Sequence, residues 1–310
     1  MQNSLTSGSV LKSILRFSLP YLLSYFLQTL YGMADLFLIG RYGGVDGTTA
    51  VSIGSQVMHM LTVMIVGLAM GATVMIGQAV GAQNRARANR YIGNAITLFA
   101  GTAAVLTLTM LSLSGAVVRL MSTPAAAQAG TEAYLRICFA GLPFIIAYNV
   151  ISAIFRGMGD SKSPMYFIAA ACVANIGLDI LFMGPLALGP AGAALGTTLS
   201  QAFSVVLSLI VVVRRRMLPD LSAAHLRPQR EILGDMVKIG VPVALQDGFI
   251  QVSFLAITVF ANLRGLNDAA AVGIVEKIIG ILFLVPSTML STVSALAAQN
   301  IGAGKPQRAR

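Results

Sequence analysis

The sequence predicts an all-α, polytopic membrane protein built as two lobes related by a parallel repeat, and three observations carry that prediction. The first is composition. Of 310 residues, 56% are hydrophobic and 10% are charged, with a mean hydropathy of +0.80, whereas an average soluble domain carries about 25% charge. The second is the length of the apolar runs, which exceed the roughly 18 residues that mark a membrane helix and are too long for the alternating segments of roughly 10 residues in a membrane barrel. The third is an internal duplication: Gln78, Gly81, Ala82, Arg87 and Ala88 recur 221 residues later as Gln299, Gly302, Ala303, Arg308 and Ala309.

Eight spans are read in order, near 14–40, 50–80, 92–118, 133–156, 164–187, 191–213, 236–262 and 272–297. The first is too long for a signal-peptide core and ends without a small-residue cleavage pattern, so it is a retained span. The second stops in "IGQAVGAQNRARANR" (76–90), where Gly81-Ala82 can end a helix and Arg85, Arg87 and Arg90 can meet anionic headgroups. The fourth closes on "IFRGMGDSKSP" (154–164). The fifth and sixth carry "ANIGLDILFMG" and "GPAGAALGTTLSQA". A charged, proline-bearing linker follows at 214–235. The seventh span contains Pro242, and the eighth opens on Glu276 and Lys277, which can neutralise each other.

Loop charge sets the orientation. With these spans, 16 of the 21 basic residues fall on the N-terminal side and 5 on the other. That bias predicts a cytoplasmic N-terminus for a multi-pass protein of the cytoplasmic (inner) membrane. The net charge of +10 is then a property of cytoplasmic loops rather than a nucleic-acid footprint.

The duplication extends upstream. Pro20 in "LRFSLPYLL" pairs with Pro242 in "VKIGVPVAL" at an offset of 222. Six spans separate each element from its copy, and an even number returns the chain to the same side, so the repeats are parallel, related by an axis along the membrane normal. The division is a first six-span lobe at 1–213, a linker at 214–235, and the first two spans of a second lobe at 236–310. A complete protein of this plan would have twelve spans in about 440 residues, and the chain reads as a form lacking about four spans. Two lobes rocking about a central site describe a transporter.

Most of the eleven acidic residues lie in loops or at span ends; Asp35, Asp179 and Asp247 do not. A carboxylate at mid-bilayer costs at least roughly 2.5–3.5 kcal/mol, so each should face the bundle interior or a wet cavity. Gln28, Tyr31 and Asp35 are spaced 3 and 4 apart, on one helical face. Asn175 precedes Asp179 by one i,i+4 step, and an amide and carboxylate so placed can share a proton, coordinate a cation, or merely fix helix packing. Asp247 follows Pro242 by less than two turns, where a broken helix can hydrate it. The position matching Asp35 in the second half is Ile257, so the ionisable residues are concentrated in the first lobe.

Cys138 and Cys172 sit in apolar runs and read as small buried hydrophobes rather than a disulfide framework. His59 and His225 are the only histidines, and His59 reads as a packed residue. No HExxH, GxSxG or metal-ligand cluster occurs, which argues against an intramembrane enzyme. The 15 methionines suit a pliable pocket, though Met fills any apolar core.

These residues resemble the multidrug and toxic compound extrusion (MATE) family. The likeness rests on "SLPYLLSYFLQTLYGMADLFLIGR", "GQAVGAQNRARANR", "IFRGMGDSKSP", "ANIGLDILFMG" and "GPAGAALGTTLSQA", and is nearest to the bacterial and archaeal branch related to DNA-damage-inducible members. The resemblance implies a MATE-type fold and an antiporter exporting small organic cations or amphipathic drugs in exchange for H⁺ or Na⁺. It implies a coupling site at Asp35, Asn175, Asp179 and Thr197, with Na⁺ as the candidate metal at the first three. Gln28 and Tyr31 match pocket-lining positions, and Asp247 is a further substrate-binding candidate. No cofactor beyond the coupling ion is expected, nor any nucleic-acid partner. The expected surroundings are a monomer in a bilayer with anionic lipid at its cytoplasmic face. Two alternatives stand beside this: a lipid-linked glycan flippase, whose cavity should carry several cationic side chains where these spans hold almost none, and a non-transporting fragment.

Overall fold

Helix is the only regular structure in the computed structural model, which describes residues 5–215, 222–264 and 266–310, with the backbone alone at 258–259, 261–264, 266–271, 273–274 and 276–277. The expected Glu276–Lys277 neutralisation therefore lies outside the described side chains. The helices are α1 (Val10–Tyr42), α2 (Gly44–Gly81), α3 (Arg85–Leu120), α4 (Ala125–Ala140), α5 (Leu142–Gly157), α6 (Lys162–Met183), α7 (Gly189–Arg214), α8 (Arg230–Arg264), α9 (Leu266–Gly302) and a short α10 (Pro306–Ala309). Seven are long and apolar enough to cross a membrane, and α4 with α5 makes an eighth, bent span. The molecule is a multi-pass membrane protein.

The fourth span begins earlier than the hydropathy suggested and is broken by a 47° bend between Ala140 and Leu142. Two local causes coincide there. Pro143, near the start of α5, has no N–H to continue the ladder. A Cβ on Gly141 would meet the Thr198 side chain of α7, so the break lets α7 approach.

Helix α2 runs through the centre: 61% of its most apolar window is buried, against 11% for α3. Without a solvent-driven hydrophobic effect, membrane helices associate through close backbone contact at small residues, and α2 supplies them. A Cβ on Gly67 would strike the Ala244 backbone of α8, one on Gly71 the Met236 carbonyl, and one on Gly240 of α8 the Leu68 carbonyl.

The duplicated motif turns out to pair with itself. The Gln299 carbonyl oxygen of α9 lies where a Gly81 Cβ would sit, and the Gln78 carbonyl oxygen lies where a Gly302 Cβ would sit. Such reciprocity is what two elements related by a twofold axis make when they meet on it. The helix ends are copies as well. Ala82, Gln83 and Asn84 donate their backbone N–H groups to Gln78, Val80 and Ala79, as Ala303, Gly304 and Lys305 do to Gln299, Ile301 and Asn300. Gln83 (φ 55°) and Gly304 (φ 69°) take the left-handed turn that closes both helices. Gly81 and Gly302 are thus the last helical residues while the turn itself falls two residues later, and what the two glycines do is let α2 and α9 touch.

The same N-terminal face holds two further ties. Asn300 donates to the Leu5 carbonyl, Lys305 to Thr6, and Arg308 to Ser7 and Gly8, fastening the first described residues to the end of α9 and to α10. The stretch before α8 docks on α3 through Asn94, which is fully buried. Asn94 accepts from the Gln229 N–H at 2.7 Å and donates to the carbonyls of Arg90 (3.0 Å) and His225 (3.3 Å). Asn94→Ala strands the Gln229 N–H and the His225 carbonyl, at a cost of about 1–3 kcal/mol. Thermal unfolding in detergent should report that loss, with faster tryptic cleavage at Arg230; unchanged stability would show that the dock contributes nothing.

Candidate functional site

Helix α1 carries the site because its two faces differ. Leu15, Leu19, Phe26, Met33 and Phe37 are exposed along one side, as a lipid-facing stripe requires. Phe17, Tyr21, Ser24, Asp35 and Leu38 are buried at helical spacing on the other, with Gln28 and Tyr31 half-buried between them. That second stripe meets α6 and α7, which pack closely against each other.

Four of the expected residues come together there. Asp35 is 5% exposed, Asn175 1% and Asp179 0%. Thr197 of α7 donates its hydroxyl to Asp35 Oδ2 at 3.2 Å. The Asp35 and Asp179 carboxyls are neighbours, and the Asn175 amide reaches both. The remaining polar atoms of the group, namely Asp35 Oδ1, both side-chain atoms of Asn175 and both carboxyl oxygens of Asp179, are buried without a well-formed partner. No Lys or Arg stands among the charges acting on either carboxyl.

One member of the site was not legible beforehand. Asp179 Oδ1 lies where a Cβ on Gly196 would project, so the carboxyl fits only because α7 presents a glycine. The available signal was thin: Gly196 merely precedes Thr197 in "ALGTTLSQ". Tyr31 lies beside Gln201 of α7 and within the field of Asp35, as do Tyr134 and Cys138 of α4 and Cys172 of α6. Both cysteines are free, one on α4 and one on α6. Gln28 makes no hydrogen bond to the group among the described residues.

Asp247 lies elsewhere. It is half-buried on α8, with Oδ2 3.1 Å from the place a Gly67 Cβ would take on α2. The difference arises because α8 packs on α2, α3 and α9, not on the α1–α6–α7 group. His59, expected to be packed, is exposed on α2.

Chemically, the group places up to six oxygens, from two carboxyls, an amide and a hydroxyl, in one enclosed spot. Two carboxylates side by side, away from water and any basic residue, are stable together only with a proton or cation between them. No group of three or more His, Cys, Asp or Glu side chains that could hold a metal ion occurs among the described residues. Carboxyl, amide and hydroxyl oxygens are donors of the kind that hold a proton or a hard cation.

A multi-span bundle of two contacting repeats, with a buried two-carboxyl site in the first, is the architecture of a transport protein. The MatE family model matches residues 20–181 and 242–310, each segment opening on one of the paired prolines, and the chain belongs to that family. It is 31% identical over 303 residues to the probable multidrug resistance protein YpnP of Bacillus subtilis (strain 168), covering 98% of this chain and 68% of that one. Multidrug export protein MepA of Staphylococcus aureus (strain NCTC 8325 / PS 47) is 24% identical, covering 96% and 66%. Among solved structures, a MATE in complex with MaD3S superposes with a TM-score of 0.90 at 25% identity, covering 98% of this chain and 69% of that one. A MOP superfamily transporter from Pyrococcus furiosus Vc1, described as having a binding pocket of reverse polarity, gives 0.89 at 26% identity, covering 98% and 68%. The chain spans about two thirds of the length of these relatives.

Proposed function

We propose that this chain serves secondary active antiport, exporting cationic or amphipathic drugs in exchange for H⁺ or Na⁺. The observation that supports it most is the enclosed pair Asp35–Asp179, held by Asn175, Thr197 and Gly196 on three helices of one lobe. The names of the relatives agree with drug export. In this reading the N-terminal face is cytoplasmic and the protein sits as a monomer in the inner membrane. Residues 1–213 act as one lobe and 236–310 belong to the other.

The coupling follows from charge. With the pair anionic, the first lobe attracts an organic cation. Entry of H⁺ or Na⁺ between the carboxyls neutralises that attraction and releases the cation outward. Loss of the coupling ion to the cytoplasm restores the site. Tyr31, beside both Gln201 and Asp35, is placed to contact cargo at the edge of the group.

Asp35→Asn keeps the size and the Thr197 contact but removes the charge. Cells producing it should accumulate a fluorescent organic cation to the level of cells lacking the protein, while membrane levels and detergent stability match the parent. Full export by Asp35→Asn would overturn the coupling assignment. Repeating the assay with Na⁺ replaced by choline at fixed pH, then with the pH gradient collapsed at fixed Na⁺, identifies the ion.

A further inference from the structure

A basic residue at the end of a span ordinarily reaches outward to headgroups. Arg156, in the last turn of α5, does the opposite. Its guanidinium lies over the Tyr21 ring of α1, 4.9 Å from the centroid. Tyr21 in turn meets Tyr25 edge-on at 5.1 Å. Tyr25 neighbours Arg156 and reaches Ser291 of α9, while Tyr148 neighbours both Arg156 and Ser152. The cation therefore sits where α1 and α5 of the first repeat face α9 of the second.

Stacking on an aromatic ring satisfies one face of a guanidinium and none of its N–H donors. Among the described residues no carboxylate pairs with Arg156, the one ion pair being Arg136–Glu132 at 2.8 Å, and no hydrogen bond takes its N–H groups. It is half-buried, so part of it stays open. Beside it is a hydroxyl in excess of its local needs: Ser152, one turn earlier on α5, is fully buried with an oxygen lacking a partner. Tyr148 instead donates to the Pro164 carbonyl. A clamp between α1 and α5 would need only the ring stack. An unpaired, partly open guanidinium beside buried hydroxyl donors instead has the chemistry of an oxyanion receptor.

We propose that Arg156, with Tyr25 and Ser291, forms an anion subsite taking the carboxylate or phosphate head of an acidic amphiphile. The subsite lies on the α1 stripe that also carries Asp35, ten residues beyond Tyr25, or about 15 Å along the helix. The protein thus offers groups of opposite charge at two levels of one helix. That the amphiphile is cargo rests on the export reading; that it binds does not. The occupant comes either from the cargo or from an anionic phospholipid.

The test is binding to the purified full chain in a neutral detergent, with no transport measured, so its failure is separate from a failure of the export assay. Dodecyl phosphate should bind the parent, about tenfold more weakly to Arg156→Gln, with part of the loss restored in Arg156→Lys. Dodecyltrimethylammonium should bind parent and variants alike. Tyr25→Phe and Ser291→Ala, which leave the ring stack in place, should each weaken dodecyl phosphate severalfold and carry the test if Arg156→Gln does not fold. Phosphatidylglycerol that co-purifies with the parent but not with Arg156→Gln identifies the lipid as occupant; equal lipid with weakened dodecyl phosphate binding identifies cargo. Equal affinity of parent, Arg156→Gln, Tyr25→Phe and Ser291→Ala for dodecyl phosphate overturns the proposal.

Discussion

Gly196→Ala is expected to reduce export of a fluorescent cation roughly 10- to 100-fold, the range for residues that position a site's ligands without being ligands themselves. The added methyl group would occupy the place of Asp179 Oδ1. The carboxyl must then swing off α7 and out of the group it forms with Asp35 and Asn175. A double-mutant cycle separates this from a general packing defect. In an Asp179→Ala background the nearest remaining atom to the Gly196 Cβ position is the residue-179 backbone nitrogen at 3.5 Å, an ordinary contact, so Gly196→Ala should change detergent stability little there and the two substitutions should be strongly non-additive. Additive effects would mean that Gly196 matters only to the fit of α6 against α7.

The largest effect on stability is expected at the self-paired motif. Gly81→Ala and Gly302→Ala each place a methyl group against a backbone carbonyl, of Gln299 and Gln78 respectively. Main chain cannot rotate away as a side chain can, so the ends of α2 and α9 must separate. Overpacking of this kind costs about 1–3 kcal/mol, more than the roughly 1 kcal/mol that alanine gains over glycine in a helix. Both variants should unfold at lower temperature in detergent, and to similar extents, because the contacts are mirror copies. Gly101→Ala on α3 is the control: nothing lies within 4 Å of its Cβ position, so only the helical gain remains and stability should hold or rise. If Gly81→Ala behaves like Gly101→Ala, the contact is not close enough to matter.

Much of the candidate site could be read from local spacing. Gln28, Tyr31 and Asp35 fall on one helical face whatever surrounds them, and Asn175 lies one turn before Asp179. The resemblance added Thr197, whose hydroxyl does reach Asp35. Gly196 had no such signature, because a glycine's role is defined by what occupies the space it leaves. The inward turn of Arg156 was not legible for a related reason: charge and span position are written in the sequence, but the direction of a long side chain is set by the rings and hydroxyls of other helices. Asp247 already differed from Asp35 in following Pro242 by less than two turns, and the partners of α8 place it away from the α1–α6–α7 group.

The sequence by itself determined that this is a helical membrane protein with two copies of one plan. Span number, loop charge and the paired prolines and glycines are all local or periodic features, and a bilayer leaves the backbone few alternatives to helix. It also determined that ionisable residues are concentrated in the first copy. Only the tertiary structure decided that α1, α6 and α7 converge on Asp35 and Asp179, that the duplicated motif meets its own copy, and that Arg156 turns inward. The reason is physical: these outcomes depend on which helices approach within van der Waals distance, and that is set by small residues such as Gly67, Gly81, Gly196 and Gly302 acting on segments far away in the chain.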